Sequence, residues 1–153
     1  MYDIKSLNDN DKIVVNIFGK EKNVKVKCVG DNKFDETGHC KPHGFALNEK
    51  ELEALNWLLN NVDLNDYITR IIEYCNSVYE EWGGNSITKD DLENEVCITM
   101  IAVNISKITA SKSGVVYPEI SYCGECECDS DGGICIAFRD KKFIGIATQD
   151  WTL

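Results

Sequence analysis

Short runs of alternating apolar and polar residues fill the C-terminal third of the chain, and this rhythm most constrains its fold. Successive side chains of a strand point to opposite faces. Between Glu119 and Asp129, one face therefore collects four apolar residues, namely Ile120, Tyr122, Cys126 and Cys128. The other face collects Ser121, Cys123 and acidic side chains. The pattern predicts a strand with one buried and one hydrated face.

The same tail predicts two more strands. Residues Asp129 to Gly133 are rich in turn formers and predict a turn. The segments Ile134–Phe138 and Phe143–Ala147 are then strands, the last with a bulge or close backbone approach at Gly145.

Upstream segments supply the rest of the layout. Lys12–Phe18 and Asn23–Val29 predict a β-hairpin, and Glu95–Ile105 predicts a buried strand followed by a polar loop from Ser106 to Gly114. Two helices are expected between them. The sequence therefore predicts a single domain over residues 1–153, of the α+β class. Its antiparallel sheet combines the N-terminal hairpin with a C-terminal four-stranded meander, and two main helices pack on one face.

Helix boundaries carry local signals. Asn48 and Glu51 have the spacing of a capping box at the start of the first helix. The second helix is expected from Asn65 to Trp82, with Trp82 on its apolar face and Gly83 ending it. Thr88 is expected to cap a last short helical turn.

Charge limits the classes of partner. The formal net charge is −10, and residues 46–94 alone hold 11 acidic and 3 basic groups. Nucleic acids and anionic membranes both attract basic surfaces, so neither is expected as a partner. The N-terminal residues lack the apolar core of a signal peptide, and no apolar run is long enough to span a bilayer. We therefore expect a cytoplasmic protein.

Eight cysteines raise the question of disulfides or metal. A secreted chain with an even count would suggest a disulfide framework. Because most of these cysteines fall inside predicted strands and helices, reduced and buried thiols are favoured. No cofactor is expected, with zinc as the alternative. The candidate ligands are two pairs with zinc-like spacing, Cys40 with His43 and Cys123 with Cys126. A regular strand would send Cys123 and Cys126 to opposite faces, which counts against this site.

Other catalytic patterns are weak. Glu125 and Glu127 are separated by about 7 Å of strand rise, a spacing that also occurs in inverting glycosidases but is common on hydrated strands. Cys40 lies near two histidines without an oxyanion-donor motif. A small enzyme of unknown class therefore remains an alternative.

The run from Pro118 to Trp151 resembles the ending of a group of uncharacterised bacterial domains of unknown function. These share an acidic strand, a glycine-containing turn, an apolar strand and a terminal Gln-Asp, here Gln149 and Asp150. Some resemble immunity proteins encoded beside bacterial toxins. The resemblance implies no catalytic residue and leaves the oligomeric state open.

These observations predict a non-enzymatic, cytoplasmic bacterial protein, immunity-like, that binds a basic protein through an acidic surface. Charge complementarity would chiefly raise association rate and specificity. The expected partner-binding residues are four carboxylates and one aromatic, Glu125, Glu127, Asp129, Asp131 and Trp151.

Overall fold

The structure, a computed structural model, describes residues 2–35, 37–105 and 116–152, with the side chains of Asp31 and Thr152 excepted. Its strands are β1 (Lys12–Ile17), β2 (Lys20–Cys28), β3 (Val96–Val103), β4 (Ile120–Cys126), β5 (Asp129–Arg139) and β6 (Lys142–Ala147). Its α-helices are α1 (Glu49–Asn61), α2 (Ile68–Trp82) and α3 (Leu92–Glu95). Short 3-10 turns occupy Gly30–Lys33, Leu64–Tyr67, Lys89–Asp91 and Gln149–Thr152. The polar loop predicted for Ser106 to Gly114 lies outside the described residues.

The six strands form one sheet in chain order, β1 to β6. The predicted α+β class is confirmed, but the sheet is mixed and not antiparallel throughout. β2 and β3 run parallel, with Val26 opposite Ile101, whereas the other neighbouring pairs are antiparallel. The physical reason is the connection: α1 and α2 lie between β2 and β3 in the chain, and such a helical crossover returns the next strand in the same direction.

Phe138 of β5 lies at the centre of the aromatic packing and is fully buried. Trp57 of α1 meets its ring edge-on at 5.9 Å between centroids, and Tyr67, just before α2, meets it at 5.5 Å. Phe143 of β6 completes the group. Edge-to-face pairs of this kind add to the stabilisation from buried area. They join the helical layer to the sheet.

Several local predictions are confirmed. Asn48 caps α1, and its side chain accepts from the amide of Glu51 while the Glu51 carboxylate accepts from the amide of Asn48. Thr88 and Asp91 form a second capping box. Gly83 ends α2 in the left-handed region at φ 79°. A register shift opposite Gly145 marks a bulge between β5 and β6.

Two predictions about the tail are wrong. Asp129 to Gly133 is not the turn between β4 and β5, because Cys126 pairs with Asp129 and leaves only Glu127 and Cys128 to turn the chain. The second face of β4 is also not hydrated along its length. Cys123 lies on it, fully buried in a second apolar cluster with Val29, Ala102, Cys135 and Ala137. The Trp151 side chain packs over this cluster.

None of the described helices is both long and apolar enough to cross a membrane.

The backbones of β3 and β4 approach each other closely at Gly124. A Cβ atom at this position would lie 1.9 Å from the carbonyl oxygen of Cys97. Gly124→Ala therefore requires the β3 backbone to move, and we expect a loss of about 1–3 kcal/mol in unfolding free energy. Urea denaturation measures it. Glu125→Ala, at the exposed neighbouring position, is the control and should change stability by less than about 0.5 kcal/mol. Equal stability of both variants would contradict the close approach.

Candidate interaction surface and buried cysteine cluster

Trp82, the last residue of α2, is the most exposed large hydrophobic residue in the described part of the chain, at 59%. It continues the predicted apolar face of α2 beside Tyr79, but that face is not covered at its C-terminal end. Its indole Nε1 donates to the carbonyl oxygen of Cys128 at 3.2 Å, and its ring packs against Tyr79 at 5.2 Å. The side chain is thus held in place while most of it faces solvent.

Acidic residues are sequence neighbours of Trp82 and of Cys128, its hydrogen-bond partner. Glu80 and Glu81 precede it in the last turn of α2, both exposed, and no basic residue lies in that turn. Glu127 in the β4–β5 turn is exposed, and Asp129, the first residue of β5, is half-buried. The C-terminal end of a helix carries partial negative charge. We call these residues the Trp82 surface (Glu80, Glu81, Trp82, Glu127 and Asp129), and four of the five are acidic.

Two of the four carboxylates expected to form one binding surface line a cleft. Glu125 and Asp131 line a cleft of about 440 Å³ together with Lys27 and Lys33. Asp150 lines the same cleft, so three carboxylates and two lysines contribute to its lining. Only Glu127 and Asp129 belong to the Trp82 surface.

The Trp151 side chain packs against the rest of this chain. Its indole Nε1 donates to the carbonyl oxygen of Val116 at 2.8 Å, and its ring lies over Gly145, close enough that an added Cβ there would be 3.3 Å away. The side chain is half-buried and covers the second apolar cluster. Its role in the structure is packing against the sheet.

Beneath the Trp82 surface lies a group of buried side chains that could ligate a metal. We call it the buried cysteine cluster, and its members are Cys75, Glu95, Cys126 and Cys128. The Sγ atoms of Cys75 and Cys128 and a carboxylate oxygen of Glu95 all lie within 4.8 Å of one another. The Sγ of Cys126 lies 3.5 Å from that of Cys128.

The Glu95 carboxylate joins three elements. One oxygen accepts from the Tyr79 hydroxyl of α2 at 2.5 Å, and the other accepts from the amide of Cys128 in the β4–β5 turn at 2.8 Å. Glu95 itself ends α3 and is 5% exposed. Among the described residues, no cation lies within ion-pair distance of it.

Glu51, the other buried glutamate, has a different environment. It lies 3.7 Å from the ammonium group of Lys41 and accepts in the α1 capping box. Its second oxygen accepts from the thiol of Cys28 at 3.2 Å, and burial, with the Glu51 charge, raises the pKa of that thiol. A nearby cation compensates the charge of Glu51.

Burial raises the pKa of Cys75, Cys126 and Cys128 to about 12 each. In the absence of a metal these side chains are protonated thiols at neutral pH, and protonated thiols are poor nucleophiles. The pKa of the Tyr79 hydroxyl is also raised, by burial first and then by its hydrogen bond to Glu95. The cluster therefore offers no activated cysteine for covalent catalysis.

The four residues expected as zinc ligands are not brought together. Cys40 is exposed in the N-terminal half, and Cys123 pairs across the sheet with Cys135 in the second apolar cluster. Cys126 lies on the opposite face, with the main core. Strand alternation separates Cys123 from Cys126, and only Cys126 of the predicted set belongs to the buried cysteine cluster. Cys75 and Glu95 are distant in sequence and carry no spacing signal that would have joined them to it.

A second cleft, of about 500 Å³, lies at the other end of the sheet. Trp57, Phe138 and Glu119 contribute to its lining. Burial, and then a hydrogen bond with Asp140, raises the pKa of the Glu119 carboxyl, which Arg139 at 3.9 Å partly offsets. A carboxyl with a raised pKa is a candidate general acid.

Searches against family models, curated proteins and solved structures return no match to this chain.

Thiol accessibility gives a direct test of this arrangement. Of the eight cysteines, Cys40 and Cys97 are exposed and the other six are buried. We expect two thiols of the native, reduced protein to react rapidly with iodoacetamide, and six only after denaturation. Mass spectrometry of the labelled peptides identifies the sites. Rapid labelling of Cys75 or Cys128 would contradict the burial of the cluster.

The raised pKa of the Glu119 carboxyl predicts how the folding stability depends on pH. Because its pKa is raised above 4.5 in the folded protein, the folded state holds this proton more tightly than the unfolded chain. The contribution of this group to stability therefore falls as pH rises from about 4 toward neutral. Glu119→Gln should gain stability relative to the unaltered protein over that range, as measured by urea denaturation at each pH. A difference that does not vary with pH would contradict it.

Proposed function

We propose that this chain is a non-enzymatic binding protein that recognises a basic protein through the Trp82 surface. The observation that carries the proposal is an indole held by a hydrogen bond to the Cys128 carbonyl, yet 59% exposed, which follows two exposed glutamates in the chain. Aromatic side chains are enriched at the energetic centres of interfaces. The face of an indole also attracts arginine and lysine side chains.

Electrostatics supports the same partner class. Two glutamates at the C-terminal end of α2 lie where the helix dipole disfavours negative charge, and no basic residue offsets them in that turn. A cationic partner would relieve this repulsion. It would also gain from the overall charge of −10 during diffusional encounter.

In this proposal the protein is a bacterial, cytoplasmic and immunity-like scaffold. The two helices cover one face of the sheet, and β3 to β6 form the four-stranded run that carries the β4–β5 turn. The rigid element of the surface is the contact between Trp82 and that turn, so partner binding needs little rearrangement. Glu127 and Asp129 are retained from the residues expected as partner-binding, and Trp82 replaces Trp151 as the aromatic anchor.

An arginine-rich synthetic peptide serves as the probe for this surface. We expect it to bind the protein with an affinity that falls as salt is raised, because exposed charges are screened. Trp82→Ala should weaken binding about threefold to thirtyfold, the range expected for loss of a cation–π contact. Isothermal titration calorimetry measures both effects. Phe34→Ala is the control, since Phe34 is also an exposed aromatic but lies outside this surface.

Matched charge reversals separate a specific surface from net charge. Glu80→Lys with Glu81→Lys changes the charge on α2 by the same amount as Glu49→Lys with Glu53→Lys on α1. The α2 pair should weaken peptide binding much more than the α1 pair, because only the former touches the Trp82 surface. Equal losses from the two pairs, or salt-independent binding, would refute the proposal.

A second candidate function is a small enzyme that uses the Glu119 cleft. Its support is the raised pKa of a carboxyl in a cleft with an aromatic wall at Trp57. The described lining residues include no serine, threonine, cysteine or histidine to act as nucleophile or partner base. This candidate therefore ranks below partner binding.

A further inference from the structure

We propose that the buried cysteine cluster is a structural zinc site. Cys75, Glu95 and Cys128 are the ligands that already lie together, and Cys126, which adjoins only Cys128, moves in as the fourth. It would fasten α2 and α3 to the β4–β5 turn. Cysteine and glutamate are both zinc ligands in proteins, and four-coordinate sites rich in sulfur are typical of structural zinc.

The distances are close to those a metal requires. In a tetrahedral site with zinc–sulfur bonds of about 2.3 Å, neighbouring sulfurs lie about 3.8 Å apart. The Sγ atoms of Cys126 and Cys128 are 3.5 Å apart. The ligand atoms of Cys75, Glu95 and Cys128 are mutually within 4.8 Å, so a small contraction around one ion brings them to bonding distance.

The Glu95 carboxylate is buried without a nearby cation among the described residues. Burying a carboxylate without a cation is costly, and such groups are generally paired or bind metals. Glu51 has Lys41 at 3.7 Å, whereas Glu95 has no ion-pair partner among the described residues. A divalent cation in the cluster would lie directly against the Glu95 carboxylate, as Lys41 lies against that of Glu51, and the thiolates formed on binding would share its charge.

The hydrogen bonds to the Glu95 carboxylate are of the kind that orients a metal ligand. Each of its oxygens accepts one bond, from Tyr79 or from the amide of Cys128, and a carboxylate oxygen has a further lone pair for a metal. Outer partners of this kind orient ligands in metal sites. On binding, each of the three thiols releases its proton to solvent, which gives a site with the same net charge as a four-cysteine zinc site.

Metal content tests the proposal. The reduced protein, incubated with zinc and then desalted, should hold about one zinc per chain by elemental analysis. Glu95→Gln and Cys128→Ser should each reduce this to less than about half an equivalent. Glu51→Gln is the matched control because it alters the other buried glutamate, and Cys135→Ser is the control for a buried cysteine. Both should retain the metal.

Measurements on the unaltered protein keep the test independent of variant folding. Titration with cobalt should produce the thiolate charge-transfer absorption of a tetrahedral cobalt site, and zinc should remove it by displacement. Chelation of zinc should lower Tm by more than about 5 °C. Less than about half an equivalent of zinc, or no thiolate–cobalt absorption, overturns the proposal.

The zinc-site proposal and the partner-binding proposal can be refuted independently of each other. Trp82 supplies no ligand atom to the cluster, and its contacts are a hydrogen bond to the Cys128 carbonyl and packing against Tyr79, so Trp82→Ala should weaken peptide binding while zinc is still bound. Absence of zinc from the unaltered protein leaves the charge-reversal comparison on α2 intact.

Discussion

The contact between the last two turns of α2 and the β4–β5 turn positions both the Trp82 surface and the buried cysteine cluster. Glu95 is at its centre, because it accepts simultaneously from the Tyr79 hydroxyl and the Cys128 amide. Trp82 adds a third link through the Cys128 carbonyl. Buried polar groups are stable only when their hydrogen bonds are satisfied together, so these links act as a unit. The exposed indole above and the thiols below both depend on it.

Two buried glutamates illustrate how one residue type serves different purposes. Glu51 belongs to a capping box and has a lysine nearby, so its environment is complete without any external ligand. Glu95 receives hydrogen bonds but lies among thiols. Thiols compensate a carboxylate poorly while protonated, and they become ligands when a metal replaces their protons. The difference lies in the neighbours that the fold supplies to each carboxylate.

Local signals in the sequence predicted much of the secondary structure. Asn48 and Glu51 are close in sequence, and the capping box that they form needs no tertiary information. Gly83 likewise ends α2 where its conformational freedom is required. The parallel pairing of β2 with β3 was missed, because strand direction depends on how the helical connection crosses the sheet. Neither strand records that direction in its own alternation.

The candidate site was only partly predictable for the same reason. Strand alternation correctly placed Cys126 and Cys128 on the buried face and Cys123 on the other. Strand alternation could not predict that Cys75 and Glu95 join them, because these residues lie in α2 and α3, far from Cys126 and Cys128 in the sequence. Helical periodicity also could not predict that Trp82 is 59% exposed, although this residue continues the apolar stripe of α2. An apolar stripe assigns a face to a residue, and the length of the partner sheet decides whether that face is covered. At Trp82 the helix meets the β4–β5 turn, so the indole makes one hydrogen bond to the backbone while most of its surface faces solvent.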